Sequence, residues 1–155
     1  MKIGIGYDIH RLETGRKLIL GGIEIPFDKG AVGHSDADVL IHALIDAMLG
    51  ASGKGDIGKH FPDTDPQWKG ANSVTLLKKT HGLLLADFFK ITNIDCTIIL
   101  EKPKLADYIP IMKINLAKIL FMSERSINIK AKTNEGLDSI GHGEAIAAQA
   151  IILID

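Results

Sequence analysis

The sequence predicts an α/β (α+β) fold: a two-layer sandwich in which three helices cover one face of a mixed sheet of about four main strands. Three observations support this prediction. Several short runs alternate apolar with other residues, three longer segments have the apolar spacing of helices, and 155 residues is the usual size of one domain. We therefore expect a single domain spanning residues 1–155.

The predicted strands are the alternating or continuously apolar runs. They cover residues 2–11, 17–25 (interrupted by Gly21 and Gly22), 94–100, 127–133 and 145–154. One face of the first run is expected to be a core stripe made of Ile3, Ile5, Tyr7 and Ile9. The last run is apolar on both faces, so the second face of the sheet also needs a cover. The chain is short for a third internal layer, and we expect a closed symmetric oligomer instead.

Three helices are predicted: over residues 36–49, after an N-cap at Asn72 or Ser73, and from Pro103 to about Phe121. The first is capped by Ser35 or Asp36 and stops at Gly50. The third contains Pro110, which is tolerated only in the first turns. The second is expected to bury one face, made of Val74, Leu77, Leu84, Leu85 and Phe88.

Asp8 and His10 lie two residues apart in the first strand and therefore on the same face. Both residue types are good ligands for Zn²⁺. Gly4 and Gly6 share this face and let another group approach the backbone closely. The alternative is a hydrogen-bonded Asp–His pair at a strand end that needs no metal.

Polar residues also recur along one line of the first helix, at His34, Asp38, His42 and Asp46. The rest of that helix is apolar, which predicts burial, and buried polar side chains need partners. Asp38, His42 and Asp46 could satisfy one another. Alternatively, His42 is a third metal ligand with an acidic neighbour behind it. We favour the metal, because three protein ligands and an open position are typical of catalytic zinc.

Two polar segments are candidate ligand-binding regions. Residues 50–72 have little periodicity and contain prolines around two carboxylates and a hydroxyl, either as an exposed turn or as a clamp for a polyhydroxy substrate. Residues 130–136 follow a strand. There Lys132 and Thr133 could hold phosphate oxygens, and Glu135 a hard cation such as Mg²⁺. An ordinary polar strand-to-loop transition is the alternative.

Composition argues against several classes of protein. The net charge is −1 without a basic run, so we expect no nucleic-acid partner, and no apolar run approaches the length of a membrane span. The first residues open a strand and do not resemble a signal peptide. Cys96 is the single cysteine, so an oxidising compartment is not required. We expect a location in the bacterial cytoplasm or the stroma of an organelle.

The chain contains, in this order, Gly4-Ile-Gly6-Tyr-Asp8-Ile-His10, a 33–43 segment with His34-Ser35-Asp36 and His42, the 55–66 segment, Pro103-Lys104, and residues 141–144. These motifs together resemble the 2-C-methyl-D-erythritol 2,4-cyclodiphosphate synthase family of the non-mevalonate isoprenoid pathway. The resemblance covers essentially the whole chain. It implies a homotrimer with active sites between subunits. The implied activity is that of a lyase converting 4-diphosphocytidyl-2-C-methyl-D-erythritol 2-phosphate to the cyclic diphosphate and CMP.

The resemblance also implies roles for individual residues. Asp8, His10 and His42 would bind zinc, with Asp46 behind them, and Glu135 would hold Mg²⁺ or Mn²⁺ through the substrate phosphates. His34 and Thr133 would act in catalysis. The cytidine diphosphate-linked substrate would contact Asp8, His10, His34, Ser35, Asp56, Ile57, Gly58, Phe61, Pro62, Asp63, Thr64, Asp65, Leu100, Pro103, Lys104, Leu105, Ala106, Lys132, Thr133, Asn134, Glu135, Ser139 and His142.

The chain departs from the common pattern of that family at a few positions. Lys132 stands where many members have Thr, Asp138-Ser139 replaces a frequent Gly-Phe, and His142 a frequent Arg. The last two sites line the trimer's central cavity in relatives that bind isoprenoid diphosphates there, and losing a ring and a permanent cation weakens that expectation. Two other classes remain open: a zinc hydrolase acting on phosphoesters, and a non-catalytic metal- or nucleotide-binding module.

Overall fold

The computed structural model describes residues 1–155. Its strands are β1 (Lys2–Thr14), β2 (Leu18–Leu20), β3 (Ile23–Ile25), β4 (Lys29–Ala31), β5 (Ile91–Ile99), β6 (Ile127–Lys132) and β7 (Ala145–Ile154). Five of them form one sheet in the order β4-β1-β7-β5-β6, and β2 pairs with β3. β7 is antiparallel to β1 and β5, whereas β5 and β6 are parallel. The predicted mixed sheet is confirmed, with β4 as an unpredicted short edge strand.

The helices are α1 (Val39–Ser52), α2 (Ile57–His60), α3 (Ser73–Ala86), α4 (Ile109–Leu120) and α5 (Asp138–Gly141). α1 packs on β1 and β7, α3 packs on α1, and α4 packs against β6. The three long helices therefore form one layer on the sheet, as predicted, and their apolar side chains share one continuous core with it. None of these helices has the length and apolarity needed to cross a bilayer.

The face of β1 that lies under the helices is the glycine face, so the predicted core stripe is wrong for a single chain. Ile3 and Ile5 are each 70% exposed, whereas Gly4 and Gly6 are buried. A Cβ at Gly6 would lie 1.9 Å from the carbonyl oxygen of Ala43 in α1. The missing side chains thus let α1 lie directly on β1. Alternation along a strand separates two faces but does not say which one the helices will choose.

The second face of the sheet is apolar and has no cover within the chain. We call it the β1–β7 face, because Ile5 and Ile151 are directly paired across these two strands. Its exposed apolar side chains are Ile3, Ile5, Tyr7, Ile9 and Ile151. The chain contains no third layer, so a contiguous apolar surface remains, of the kind that marks interaction sites.

α1 begins later than predicted because tertiary contacts select its N-cap, and it also ends later. The cap is Asp38, which is fully buried and accepts hydrogen bonds from the backbone N–H groups of Gly21 (3.0 Å) and Gly22 (2.7 Å) in the β2–β3 turn. The helix stops at Gly53, whose φ of 72° is left-handed. The predicted ends at Ser35, Asp36 and Gly50 are therefore wrong.

The other helices agree with the prediction at one end each. α3 follows an N-cap at Asn72, as predicted. Two residues of its predicted buried face are exposed: Leu85, which lies in the helix but outside its buried set, and Phe88, which lies beyond the helix end. α4 begins after the predicted start at Pro103 and carries Pro110 in its first turn, as predicted. The aperiodic 50–72 segment contains α2 and a 3₁₀ turn.

Candidate metal site

Three predicted ligands converge at one point. Asp8 Oδ2 lies 2.9 Å from His10 Nε2 and 2.9 Å from His42 Nδ1, and the two histidine nitrogens are 3.2 Å apart. This triad is the one cluster of potential metal ligands in the structure. Asp8 and His10 of β1 therefore meet His42 of α1, as predicted.

The close contact between α1 and β1 brings the triad together. Asp8 and His10 point from β1 toward α1, on the same side as Gly6. His42 precedes Ala43, the residue whose carbonyl oxygen lies over Gly6. Because no side chain at Gly6 holds the helix away, His42 comes within hydrogen-bond distance of Asp8.

The three side chains alter one another's protonation. Burial raises the pKa of Asp8, but hydrogen bonds to His10 and His42 outweigh this effect and hold the pKa far below its usual range. Burial lowers the pKa of His42, but its hydrogen bond to Asp8 and the neighbouring carboxylate charges leave the pKa raised. The triad thus holds a carboxylate charge that either a proton or a cation can balance.

The donor set fits a borderline divalent cation. Two imidazole nitrogens and a carboxylate oxygen are typical zinc ligands, and three protein ligands leave a coordination position for substrate. Ligand atoms at about 2.1 Å from a tetrahedral zinc lie about 3.4 Å apart. The observed separations of 2.9–3.2 Å need only a few tenths of an ångström of expansion to reach that spacing.

The other ring nitrogen of His42 faces two hydroxyl groups. His42 Nε2 lies 3.1 Å from Ser35 Oγ and 3.0 Å from Ser73 Oγ. Asp46, predicted to stand behind the ligands, instead accepts a 2.7 Å hydrogen bond from the backbone N–H of Ile57, and burial raises its pKa. Asp38, His42 and Asp46 therefore do not satisfy one another's hydrogen bonds; each has a partner outside this line of residues. In the sequence, Ser73 is recognisable only as a candidate helix cap.

The triad lines a cleft of about 420 Å³. Ten predicted site residues line this cleft: Asp8, His10, His34, Ser35, His42, Ile57, Gly58, Phe61, Pro62 and Asp63. Trp68 and Leu76 complete the lining and were missed, because isolated apolar residues in a sequence look like ordinary core. The Phe61 and Trp68 rings meet edge to face, with centroids 5.1 Å apart. Metal ligands and an apolar wall in one cleft are typical of a small-molecule site.

Three predicted residues from the same segment lie outside this lining. Asp56 caps α2 by accepting the N–H of Lys59 at 2.9 Å, and Asp65 accepts the N–H of Gln67 at 3.0 Å. Thr64 is exposed in the turn between them. In a single chain this part of the segment is a solvent-facing turn stabilised by its own carboxylates.

A second group of predicted residues lies where the parallel strands β5 and β6 end. The Leu100 N–H donates to the Lys132 carbonyl (2.9 Å), and the Asn134 N–H donates to Glu101 Oε2 (3.3 Å). The group comprises Leu100, Pro103, Lys104, Leu105, Ala106, Lys132, Thr133, Asn134 and Glu135. None of its members lines the triad's cleft. One chain therefore carries two separate halves of the predicted site.

Ser139, in α5, and His142, just after it, are exposed and belong to neither half. His142 lines a separate cleft of about 350 Å³ with Glu101 and Lys102. A groove of about 790 Å³ lies between the C-terminal ends of α3 and α4, but it contains no cluster of potential metal ligands. The triad, rather than cavity size, locates the candidate site.

The whole chain matches known proteins. A family model described as the YgbB family matches residues 1–155. Two curated relatives, from Pelobacter propionicus and Clostridium novyi, are named 2-C-methyl-D-erythritol 2,4-cyclodiphosphate synthase. The first is 54% identical over 154 residues, covering 99% of this chain and 98% of the relative. The second is 56% identical over 155 residues, covering 100% and 99%.

Solved structures with the same fold agree. The bifunctional IspDF of Campylobacter jejuni matches with a TM-score of 0.95 at 41% identity, covering 99% of this chain, which spans 42% of that longer chain. A CDP-bound 2C-methyl-D-erythritol-2,4-cyclodiphosphate synthase matches with a TM-score of 0.92 at 40% identity, covering 99% and 100%. The CDP complex of Plasmodium falciparum IspF has a TM-score of 0.88 at 34% identity, covering 99% and 94%. The chain therefore belongs to the YgbB family, in which these synthases are its relatives.

Proposed function

We propose that this protein converts 4-diphosphocytidyl-2-C-methyl-D-erythritol 2-phosphate to 2-C-methyl-D-erythritol 2,4-cyclodiphosphate and CMP, as a cyclising phosphorus–oxygen lyase of the non-mevalonate isoprenoid pathway. The observation that carries the proposal is the meeting of Asp8, His10 and His42 in one cleft. Curated relatives more than half identical to this chain carry the synthase name, and two similar solved structures are described with CDP bound.

We assign one Zn²⁺ per subunit to Asp8, His10 and His42, and Mg²⁺ or Mn²⁺ to the substrate phosphates with Glu135 as its protein ligand. The nitrogen-rich triad suits zinc, and the lone carboxylate of Glu135 suits a hard cation. When bound, the two cations supply positive charge to the diphosphate and to the departing phosphate. Thr133 Oγ1 donates to Glu135 Oε1 at 2.9 Å, which orients that carboxylate.

We assign the two halves of the site to the two ends of the substrate. The triad's cleft, with Ile57, Gly58 and the 61–65 turn, takes the methylerythritol phosphate. The β5–β6 group takes the cytidine and the phosphates, where Lys132 adds a positive charge. His34, exposed in the cleft, donates a hydrogen bond to the reacting phosphate. When substrate is bound, the Thr133 hydroxyl turns from Glu135 Oε1 and donates its one proton to that phosphate from the other half.

The reaction is an internal phosphoryl transfer that consumes no water. A 2-phosphate oxygen forms a bond to the β-phosphorus, the bond from that phosphorus to the bridging oxygen breaks, and CMP leaves with the electron pair. The residues mainly hold a flexible substrate in a folded shape, which converts binding energy into orientation. Hydrolysis is the competing outcome, and the contact between Phe61 and Trp68 forms an apolar wall that limits water.

We propose a homotrimer with active sites at the subunit interfaces. The β1–β7 face supports this assembly, because it is apolar and uncovered in one chain. The separation of the two half-sites supports it further, since a neighbouring subunit can bring its β5–β6 group to the triad's cleft. A monomer would leave both halves incomplete.

We place the protein in the bacterial cytoplasm or in the stroma of an organelle. Its single cysteine, Cys96, is buried and unpaired, which fits a reducing compartment. Because the net charge is −1 and the sequence has no basic run, we propose no nucleic-acid partner.

The decisive experiment incubates the zinc-loaded protein with the diphosphocytidyl substrate and Mg²⁺ and follows the products by ³¹P NMR. The proposal predicts equal amounts of CMP and cyclic diphosphate without inorganic phosphate. Release of inorganic phosphate or an opened monoester would indicate a zinc hydrolase. Metal retention without turnover would indicate a binding module.

His42→Ala tests the role of the triad in the same assay. We expect it to lose zinc and cyclisation together, because two remaining ligands hold the ion poorly. His60→Ala is the matched control, since His60 lies outside the triad and its one side-chain hydrogen bond is to the Lys54 carbonyl, at 3.0 Å. Turnover by a rigorously metal-stripped His42→Ala protein would refute the assignment.

A further inference from the structure

We propose that Ser73, held in place by Asp36, is a positioning residue for the metal site. Its hydroxyl oxygen accepts the Nε2–H of His42 and so directs the Nδ1 lone pair of that ring toward Asp8 and His10. This inference rests on the metal-binding function proposed above. Ser73, rather than Asp46, then supports the ligand His42, because Asp46 accepts a hydrogen bond from the backbone N–H of Ile57.

The direction of the hydrogen bonds follows from the partners of Ser73. Its Oγ makes a short hydrogen bond to Asp36 Oδ1, and its backbone N–H donates to Asp36 Oδ2 at 3.0 Å. An ionised carboxylate can only accept, so the Ser73 hydroxyl proton points to Asp36. The Ser73 oxygen then faces His42 Nε2, 3.0 Å away, with its lone pairs and can only accept there.

Burial makes this arrangement persistent. Ser73 is fully buried, so no bulk water competes for its hydroxyl. The Asp36 backbone N–H also donates to the Ala71 carbonyl at 3.1 Å, which ties the segment before α1 to the start of α3. The carboxylate that orients Ser73 is therefore fixed from two sides.

Ser35 also lies near His42 Nε2, but its hydroxyl is less constrained. Its oxygen accepts the Ala37 N–H at 3.2 Å and lies 3.1 Å from the histidine nitrogen. No carboxylate dictates where its own proton points, so Ser35 can serve as donor or acceptor. Ser73 is the partner whose polarity the surrounding structure decides.

The consequence for the metal site is a defined tautomer. A neutral imidazole carries one N–H, and placing it on Nε2 leaves the lone pair on Nδ1, the atom that faces Asp8 and His10. Partners that fix a ligating histidine in this way are typically worth about 10–100-fold in metal affinity. We expect an effect of that size from Ser73.

The test measures Zn²⁺ affinity by competition with a chromophoric chelator, using the full-length protein. Ser73→Ala is expected to weaken zinc binding by about 10–100-fold. Asn72→Ala is the matched control, because it removes the neighbouring cap of α3, where Asn72 accepts the Val74 N–H at 2.9 Å, without touching His42. We expect its zinc affinity to stay within twofold of the unmutated protein.

Asp36→Asn and the double variant separate positioning from general destabilisation. An amide cannot accept from both Ser73 groups, so Asp36→Asn should also weaken zinc binding. Because both residues act through His42 Nε2, the two losses should not add in the double variant. Equal zinc affinity in Ser73→Ala and the unmutated protein, or losses that add fully, would overturn the inference.

A measurement on the unmutated protein covers the case in which Ser73→Ala does not fold. In the zinc-loaded, ¹⁵N-histidine-labelled protein, His42 Nε2–H should exchange slowly with solvent, as expected of a donor to a buried acceptor. Rapid exchange of that proton would overturn the positioning role. Failure of the unmutated protein to bind zinc would instead overturn the proposed function of the triad.

Discussion

Gly6→Ala tests whether the close contact between β1 and α1 builds the candidate metal site. The added Cβ would lie 1.9 Å from the Ala43 carbonyl oxygen and 2.8 Å from the Ala47 backbone nitrogen. Both atoms are backbone atoms in the middle of a helix, so no side-chain rotation can relieve the clash. α1 must therefore move away from β1 by about 1 Å to restore ordinary contact.

This displacement has a cost in stability and in metal binding. Overpacking of this kind typically destabilises by about 1–3 kcal/mol, and for a chain of this size each kcal/mol lowers Tm by about 2–4 °C. The same movement carries His42 away from Asp8, and 2.9 Å between their ligand atoms leaves little tolerance. We expect at least a roughly tenfold loss of zinc affinity, comparable to the loss of a ligand-orienting partner.

The assay combines a thermal melt with zinc competition, and Gly50→Ala is its matched control. Gly50 lies in the same helix, has negative φ, and a Cβ there would meet nothing closer than 3.9 Å. Alanine at that position should stabilise the helix by about 0.5–1 kcal/mol and leave zinc binding unchanged. If Gly6→Ala melts like the unmutated protein and binds zinc equally well, the close-packing explanation of the site is refuted.

Three further predictions follow from individual groups. Burial raises the pKa of the Cys96 thiol from 9.0 to about 12. A thiol reagent at pH 8 should therefore label Cys96 only after denaturation, and rapid labelling of the native protein would contradict the burial. The contribution of this thiol to the free energy of unfolding is complete below pH 9 and is lost as the pH rises toward 12. Asp38→Ala leaves three backbone N–H groups without their acceptor. It should lower the free energy of unfolding, measured in urea, by about 2–4 kcal/mol. A loss of stability no larger than that of Asn72→Ala would count against the role of Asp38 as a buried cap. Ile5→Glu places a charge on the β1–β7 face and should dissociate the proposed homotrimer, which light scattering would show as a lower mass. Ile114→Glu, at a half-exposed position of α4, should leave the mass unchanged. An unchanged mass for Ile5→Glu would exclude that face as the interface.

Local spacing in the sequence was sufficient to predict much of the candidate site. Asp8 and His10 had to share a face because strand side chains alternate, and His42 fell on a polar line of an otherwise buried helix. The supporting partners could not be predicted in this way. Ser73 reaches His42 from another helix, 31 residues away in the chain, and Asp46 turns to Ile57. Hydrogen-bond partners distant in sequence depend on how the helices pack.

Alternation and helical periodicity along the chain determined by themselves the two-layer α/β fold, its main strands and its three long helices, because these patterns reflect which side chains can be buried together. Only the tertiary structure decided which face of β1 turns inward, because both faces could serve and the choice depends on where α1 can approach. It also decided that α1 is capped at Asp38, through the distant β2–β3 turn. The triad's cleft and the predicted β5–β6 group are likewise separated by packing, since strand order, not chain order, sets the distance between them.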